Sequence, residues 1–174
     1  MAESIRVRLI LCFAAAILLN PSAFCSEPAS RWIDPDGVKG KLLICGGGKL
    51  PQSIFDKFVE SAGGETARLV IIPTATFQVD EAAKQDILEF WGDKEVESVT
   101  VLHTRSRDEA NSPAFTQPLT EATGVWFGGG QQSRIAEVYV GTAVEVELQA
   151  MLNRGGIVAG TSAGAAIQSK LMIA

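Results

Sequence analysis

The chain has 174 residues, 47% hydrophobic and 20% charged, which suits one domain with a real core and excludes disorder. Twenty acidic residues against 15 basic ones give a formal net charge of −5, and Lys and Arg are scattered, which argues against a nucleic-acid partner. A single histidine and a single cysteine, Cys45, beyond the first 25 residues argue against a protein-built zinc site, and no cofactor or metal is expected.

The first 25 residues read as a secretory signal peptide. Arg6 and Arg8 precede an apolar run from Leu9 to Leu19, with a small-residue region and a cleavage position after Cys25. At about eleven residues the run is short of the roughly twenty a membrane span needs, so export to the periplasm or medium is expected and a stable span is not. Cys12 and Cys25 would leave with the signal. Cys45 would then have no intrachain partner and reads as a small buried hydrophobe. Residues 26–40 are rich in Pro, Ser, Asp and Gly and read as a leader into a domain over 41–174.

Lys41–Cys45 reads as a buried first strand closed by Gly46-Gly47-Gly48. Helical spacing follows over 51–62, stopped by Gly63-Gly64, and 68–72 reads as a second buried strand. Residues 80–91 are amphipathic, with Ala83, Ile87, Leu88, Phe90 and Trp91 broadly on one face, and 96–102 is a third strand. Residues 103–120, carrying Pro113 and Pro118, read as a long connection with at most a short helix. A fourth strand, 124–127, ends in Gly128-Gly129-Gly130. Helices are expected over 131–140 and 143–153, and a fifth strand at 157–159. Strands apolar throughout, alternating with helices, predict a parallel sheet covered on both faces, with sites at the strand C-termini.

Gly160-Thr161-Ser162-Ala163-Gly164-Ala165 follows the fifth strand and opens a helical run. Glycines flanking a serine allow a sharp strand-to-helix turn and keep the hydroxyl accessible, so Ser162 is the candidate nucleophile. The N–H of Ala163 is the first candidate oxyanion donor. A second is expected from the turn Gly128-Gly129-Gly130-Gln131, where bare backbone can approach a substrate carbonyl. The competing structural reading is that Thr161-Ser162 only caps a helix. Gly46-Gly47-Gly48-Lys49 lacks the spacing of a phosphate-binding loop and reads as a turn.

The segment from Trp126 through Gly128-Gly129-Gly130-Gln131-Gln132-Ser133-Arg134-Ile135, followed by the Ser162 motif, resembles the cyanophycinase and aspartyl dipeptidase group of serine peptidases. Leu43–Gly48 looks like that group's first strand and glycine turn, and Ile71–Ala75 like its second strand and loop. The resemblance implies a flavodoxin-like α/β sandwich related to the class I glutamine amidotransferases. It also implies hydrolysis of peptide bonds next to aspartate, in small peptides or cyanophycin-like polymer, through an acyl-enzyme on Ser162. Gly129, Gly130, Gln131 and Gln132 would line the pocket, Gln132 matching the group's glutamine. Gln131 stands where the group often has aspartate.

The group's histidine and acidic residue follow the serine by some tens of residues, whereas this sequence stops at Ala174. The expectation is a fold incomplete at its C-terminus, a truncated gene product of low turnover by itself. His103 and Lys170 are the weak alternatives for a base. The competing function is an exported remnant that binds a small peptide or partner. An amidotransferase ranks below both because its elbow carries cysteine. Self-association is expected wherever a sheet edge stays open.

Overall fold

The computed structural model describes residues 37–172. The signal peptide, most of the leader, Cys12, Cys25, Ile173 and Ala174 lie outside the described residues. None of the described helices is long and apolar enough to cross a membrane.

Five parallel strands form one sheet: β1 (Lys41–Cys45), β2 (Arg68–Ile72), β3 (Ser98–Val101), β4 (Gly124–Phe127) and β5 (Ile157–Thr161), in the order β1-β5-β4-β2-β3. Strands β2 to β5 follow the order 2-1-3-4 of flavodoxin-like sheets, and β1 takes the outer place beside β5. The pleat divides the side chains between two cores. Leu69, Ile71, Trp126, Ile157 and Ala159 pack with Phe58, Val59 and Ala62 of α1 (Gln52–Ala62) and Trp91 of α2 (Glu81–Gly92). Phe58 lies 5.3 Å from Trp126 and 5.4 Å from Trp91, both edge-on.

On the other face, Val70, Ile72, Val125, Phe127 and Val158 pack against five helices. These are α3 (Arg107–Ala110), α4 (Pro113–Glu121), α5 (Gln132–Tyr139), α6 (Ala143–Asn153) and α7 (Ala163–Ala166). Crossovers β1-α1-β2 and β2-α2-β3 therefore run over one face. The returns to β4 and β5 run over the other, as right-handed connections require when the direction of travel reverses. The reversal falls between β2 and β4, and sheets of this kind place their sites at the carboxyl ends of the strands.

Three expectations need correction. β1 is not a buried strand but an edge strand, with Leu42 51% and Ile44 63% exposed. Its apolar sequence reads as interior, but only Leu43 and Cys45 face a helix-covered side. Residues 103–120 are not mainly a connection. Ser112 caps α4 by accepting from the Phe115 N–H at 3.3 Å, Pro113 occupies the first turn, where its missing N–H costs nothing, and Pro118 is carried inside the helix. On α2, Trp91 is buried and Ile87 packs against the same core, but Leu88 and Phe90 are only partly covered, at 37% and 41% exposed.

The Asp80 carboxylate caps α2, accepting from the Ala83 N–H at 2.9 Å. Asp80→Ala is expected to cost about 1 kcal/mol, measured as a lower urea midpoint with unchanged slope.

Candidate active site

The carboxyl end of β5 continues directly into α7 through Ser162. Its backbone sits at φ 52°, ψ −113°, a conformation that a side-chain-bearing residue adopts at a cost of about 1–3 kcal/mol. The strain has identifiable supports. The Ser162 N–H donates to the Cys45 carbonyl at 3.2 Å, and its own carbonyl accepts from Ala165 and Ala166 at 3.0 and 2.9 Å. The Thr161 hydroxyl donates to the Gly46 carbonyl at 2.8 Å. Gly160 and Gly164 let the turn close. A Cβ on Gly160 would lie 2.3 Å from the Gly164 oxygen, and one on Gly164 would lie 2.2 Å from the Phe127 oxygen.

Ser162 is exposed, makes no side-chain capping bond, and its hydroxyl has no hydrogen-bond partner among the described residues. The helix-cap reading of Thr161-Ser162 is thus not what the geometry serves. Two glycine turns flank the serine. A Cβ on Gly47 would stand 3.6 Å from Ser162 Cβ and 3.7 Å from its Oγ, and one on Gly129 would stand 3.5 Å from the same Cβ. Both walls beside the hydroxyl are therefore bare backbone. Ala163 is buried just behind it as the first residue of α7. The N–H groups of Ala163, Gly129 and Gly130 donate to no backbone carbonyl among the described residues.

The other pocket positions differ in role. The Gln131 N–H is spent on the Ala75 carbonyl at 3.0 Å, and its side chain is exposed. Gln132 opens α5 and is half-buried. Gly130 has φ 140°, and a Cβ there would sit 2.3 Å from the Ala75 oxygen, so only glycine lets this turn seat on the loop after β2.

His103 follows β3, at the far edge of the sheet from β5. Three interstrand steps, about 14 Å, separate the two strand ends, and His103 Nδ1 instead pairs with the Thr74 hydroxyl at 3.0 Å. Thr74 Oγ1 also meets the Tyr139 hydroxyl at 2.9 Å. Lys170 is exposed. Among the described residues no cluster of three or more His, Cys, Asp or Glu side chains is placed to hold a metal ion. Burial raises the pKa of the Cys45 thiol, in keeping with a packing role.

Burial, with Arg105 and Lys84 nearby, holds the His103 imidazole below its ordinary pKa, with Glu109 opposing more weakly. The unfolded chain therefore binds this proton first as pH falls. His103 favours folding above the ordinary imidazole range, and that contribution is lost as pH drops below about 6.5. Urea titrations at pH 7.5 and 5.5 are expected to show a smaller acid-side loss for His103→Gln than for the unsubstituted chain.

Residues 42–174 match Peptidase family S51. Among curated relatives, a cyanophycinase of Synechococcus elongatus is 31% identical over 144 residues, covering 79% of this chain and 44% of that protein. A cyanophycinase of Trichormus variabilis is 32% identical over 145 residues, covering 80% and 48%. Among solved structures, a peptidase from an acI-B1 Actinobacterium aligns with a TM-score of 0.58 at 25% identity, over 76% of this chain and 58% of its own. The chain spans about half the length of the curated relatives it matches. With the family matched over three quarters of its residues and the serine elbow in place at the end of β5, the chain belongs to Peptidase family S51.

Proposed function

We propose that the full-length protein is an exported serine peptidase that cleaves peptide bonds next to aspartate, in aspartyl peptides or cyanophycin-like polymer, through an acyl-enzyme on Ser162. The observation that carries this reading is the strained, exposed Ser162 between two bare glycine turns, with the Ala163 N–H beside it. In the reaction, Ser162 Oγ bonds to the scissile carbonyl carbon as its proton passes to a general base. In the group this chain resembles, that base is a histidine that follows the serine, oriented by an acid, whereas His103, the one histidine of this sequence, precedes Ser162. The carbonyl oxygen takes the negative charge and accepts from the Ala163 N–H and from the glycine turn. Collapse of the tetrahedral species breaks the C–N bond, the leaving amine takes the proton, and an ester remains on Ser162. Water, deprotonated by the same base, attacks the ester and regenerates the hydroxyl.

The names of the relatives support the substrate class, as do the motifs they share with this chain. Gln131, in place of the group's frequent aspartate, leaves this rim without a carboxylate, so aspartyl peptides are the class and cyanophycin is one candidate within it. The test is product analysis by the full-length protein on cyanophycin, aspartyl dipeptides and matched glutamyl dipeptides. Cleavage confined to bonds next to aspartate is expected. Equal cleavage of the glutamyl series would overturn the assignment.

A further inference from the structure

The loop after β2, residues 73–77, is the wall that the glycine turn leans on. Four of its five consecutive carbonyls accept from outside the loop. The Ala75 carbonyl takes the Gln131 N–H and Arg134 Nη1, both at 3.0 Å. The carbonyls of Thr74, Thr76 and Phe77 are all taken by one side chain, Arg105, with Nη1 on Thr74 and Nη2 on Thr76 and Phe77. The remaining carbonyl, Pro73, closes the turn by accepting from the Thr76 N–H at 2.9 Å. On the other side, the Thr76 hydroxyl donates to the Gly129 carbonyl at 3.4 Å, and Gly130 seats its bare Cα against the Ala75 oxygen.

The guanidinium thus stands at one end of a short mechanical chain: Arg105, the 73–77 loop, the Gly129–Gly130 turn, Ser162. A planar fork that grips carbonyls on either side of Ala75 fixes the direction in which the Ala75 oxygen points. That oxygen sets the Gln131 amide, and with it the glycine turn. A lysine cannot do this, because it is a single point donor without the fork.

We propose that Arg105, on the segment after the distant edge strand β3, is a positioning residue that sets the second oxyanion donor of the site through the 73–77 loop. This rests on the reading of Ser162 as nucleophile, and its consequences separate from that reading. The donor turn is not touched by Arg105 itself, so its loss acts on geometry and leaves the nucleophile and the Ala163 donor in place. Displacement of such a group by a fraction of an ångström is expected to slow acylation about 10- to 100-fold.

The experiment compares the full-length protein with Arg105→Ala and Arg105→Lys in two measurements. One is the rate of phosphonylation of Ser162 by a fluorophosphonate. The other is the hydrogen-exchange rate of the Gln131 amide, read beside the exchange of β4 and β5 and the thermal midpoint. The expected result is slower labelling in both variants, recovered in part for Arg105→Ala by added guanidinium ion. Faster exchange is expected at Gln131 without a matching change in the central strands. If Arg105→Ala does not fold, Arg105→Lys alone carries the comparison. Labelling and Gln131 exchange both unchanged in a folded variant would overturn the proposal, as would loss of protection spread evenly over the sheet with no rescue by guanidinium. If the unsubstituted protein is not labelled, the nucleophile reading fails. Gln131 exchange then decides alone whether Arg105 holds the glycine turn, and unchanged exchange overturns that too.

Discussion

Replacing Ser162 with alanine is expected to lower turnover of aspartyl peptides by the full-length protein about 10⁴- to 10⁶-fold, with the fold intact. The size of the loss follows from the role. The oxyanion donors and the binding surface survive the substitution, but no covalent intermediate can form, and water must attack the peptide directly. The fold survives because Ser162 Oγ makes no hydrogen bond among the described residues and the side chain is exposed. The paired substitution Ser162→Gly sharpens the point. Glycine adopts φ 52° without the Cβ penalty, so it should release part of the roughly 1–3 kcal/mol held in the elbow, less the extra chain entropy of about 0.4–1 kcal/mol that glycine carries when unfolded. Ser162→Gly is therefore expected to be as inactive as Ser162→Ala and about 1 kcal/mol more stable than it in urea. A serine kept in a conformation that glycine would occupy at less cost is strain retained for chemistry.

The second large effect is structural. Gly164→Ala is expected to destabilise the domain by about 3 kcal/mol or more, measured by urea unfolding. The added Cβ would lie 2.2 Å from the Phe127 oxygen, 2.7 Å from its carbonyl carbon and 2.8 Å from its Cβ. Two of these are backbone atoms of β4, the strand that pairs with both β2 and β5 in the middle of the sheet. They cannot turn aside as a side-chain tip can, so α7 must lift away from the sheet or β4 must bend. Either movement opens the Ser162 turn, and labelling of the serine should fall along with stability. Gly46→Ala is the control. Its Cβ would meet nothing within 4 Å, and its effect should stay within about 0.5 kcal/mol.

The parts of this protein visible in its sequence are those set by local rules. Glycine turns after β1, β4 and β5, continuous apolar runs at β2, β4 and β5, and the 3.6-residue spacing of α1 and α6 each report on their own few residues. The elbow is legible because glycines flank Ser162 between an apolar strand and a helical run, although the same residues also fit a plain helix cap. The rest depends on arrangement. Lys41–Cys45 has the apolar sequence of an interior strand. Nothing within it reveals that, among the described strands, β1 pairs with β5 alone and leaves Leu42 and Ile44 open.

Residues 107–121 hold two helices that their prolines disguise, since proline breaks a helix anywhere past its first turn as a rule. The cue was Ser112 followed by Pro113, a cap and a first-turn proline. Arg105 had no signal of its own, since a lone arginine after a strand says nothing of which carbonyls the fold will bring to it. For His103 the strand order supplied what spacing could not. An edge position three steps from β5, with its Nδ1 given to Thr74, leaves the imidazole to its own network.

Whether Ser162 is the nucleophile is read directly by mass spectrometry of the full-length protein after reaction with a fluorophosphonate, with peptide mapping of the label. One phosphonyl group per chain is expected, on Ser162, absent from Ser162→Ala. A label on another serine, or none under conditions where the protein cleaves aspartyl peptides, would contradict it.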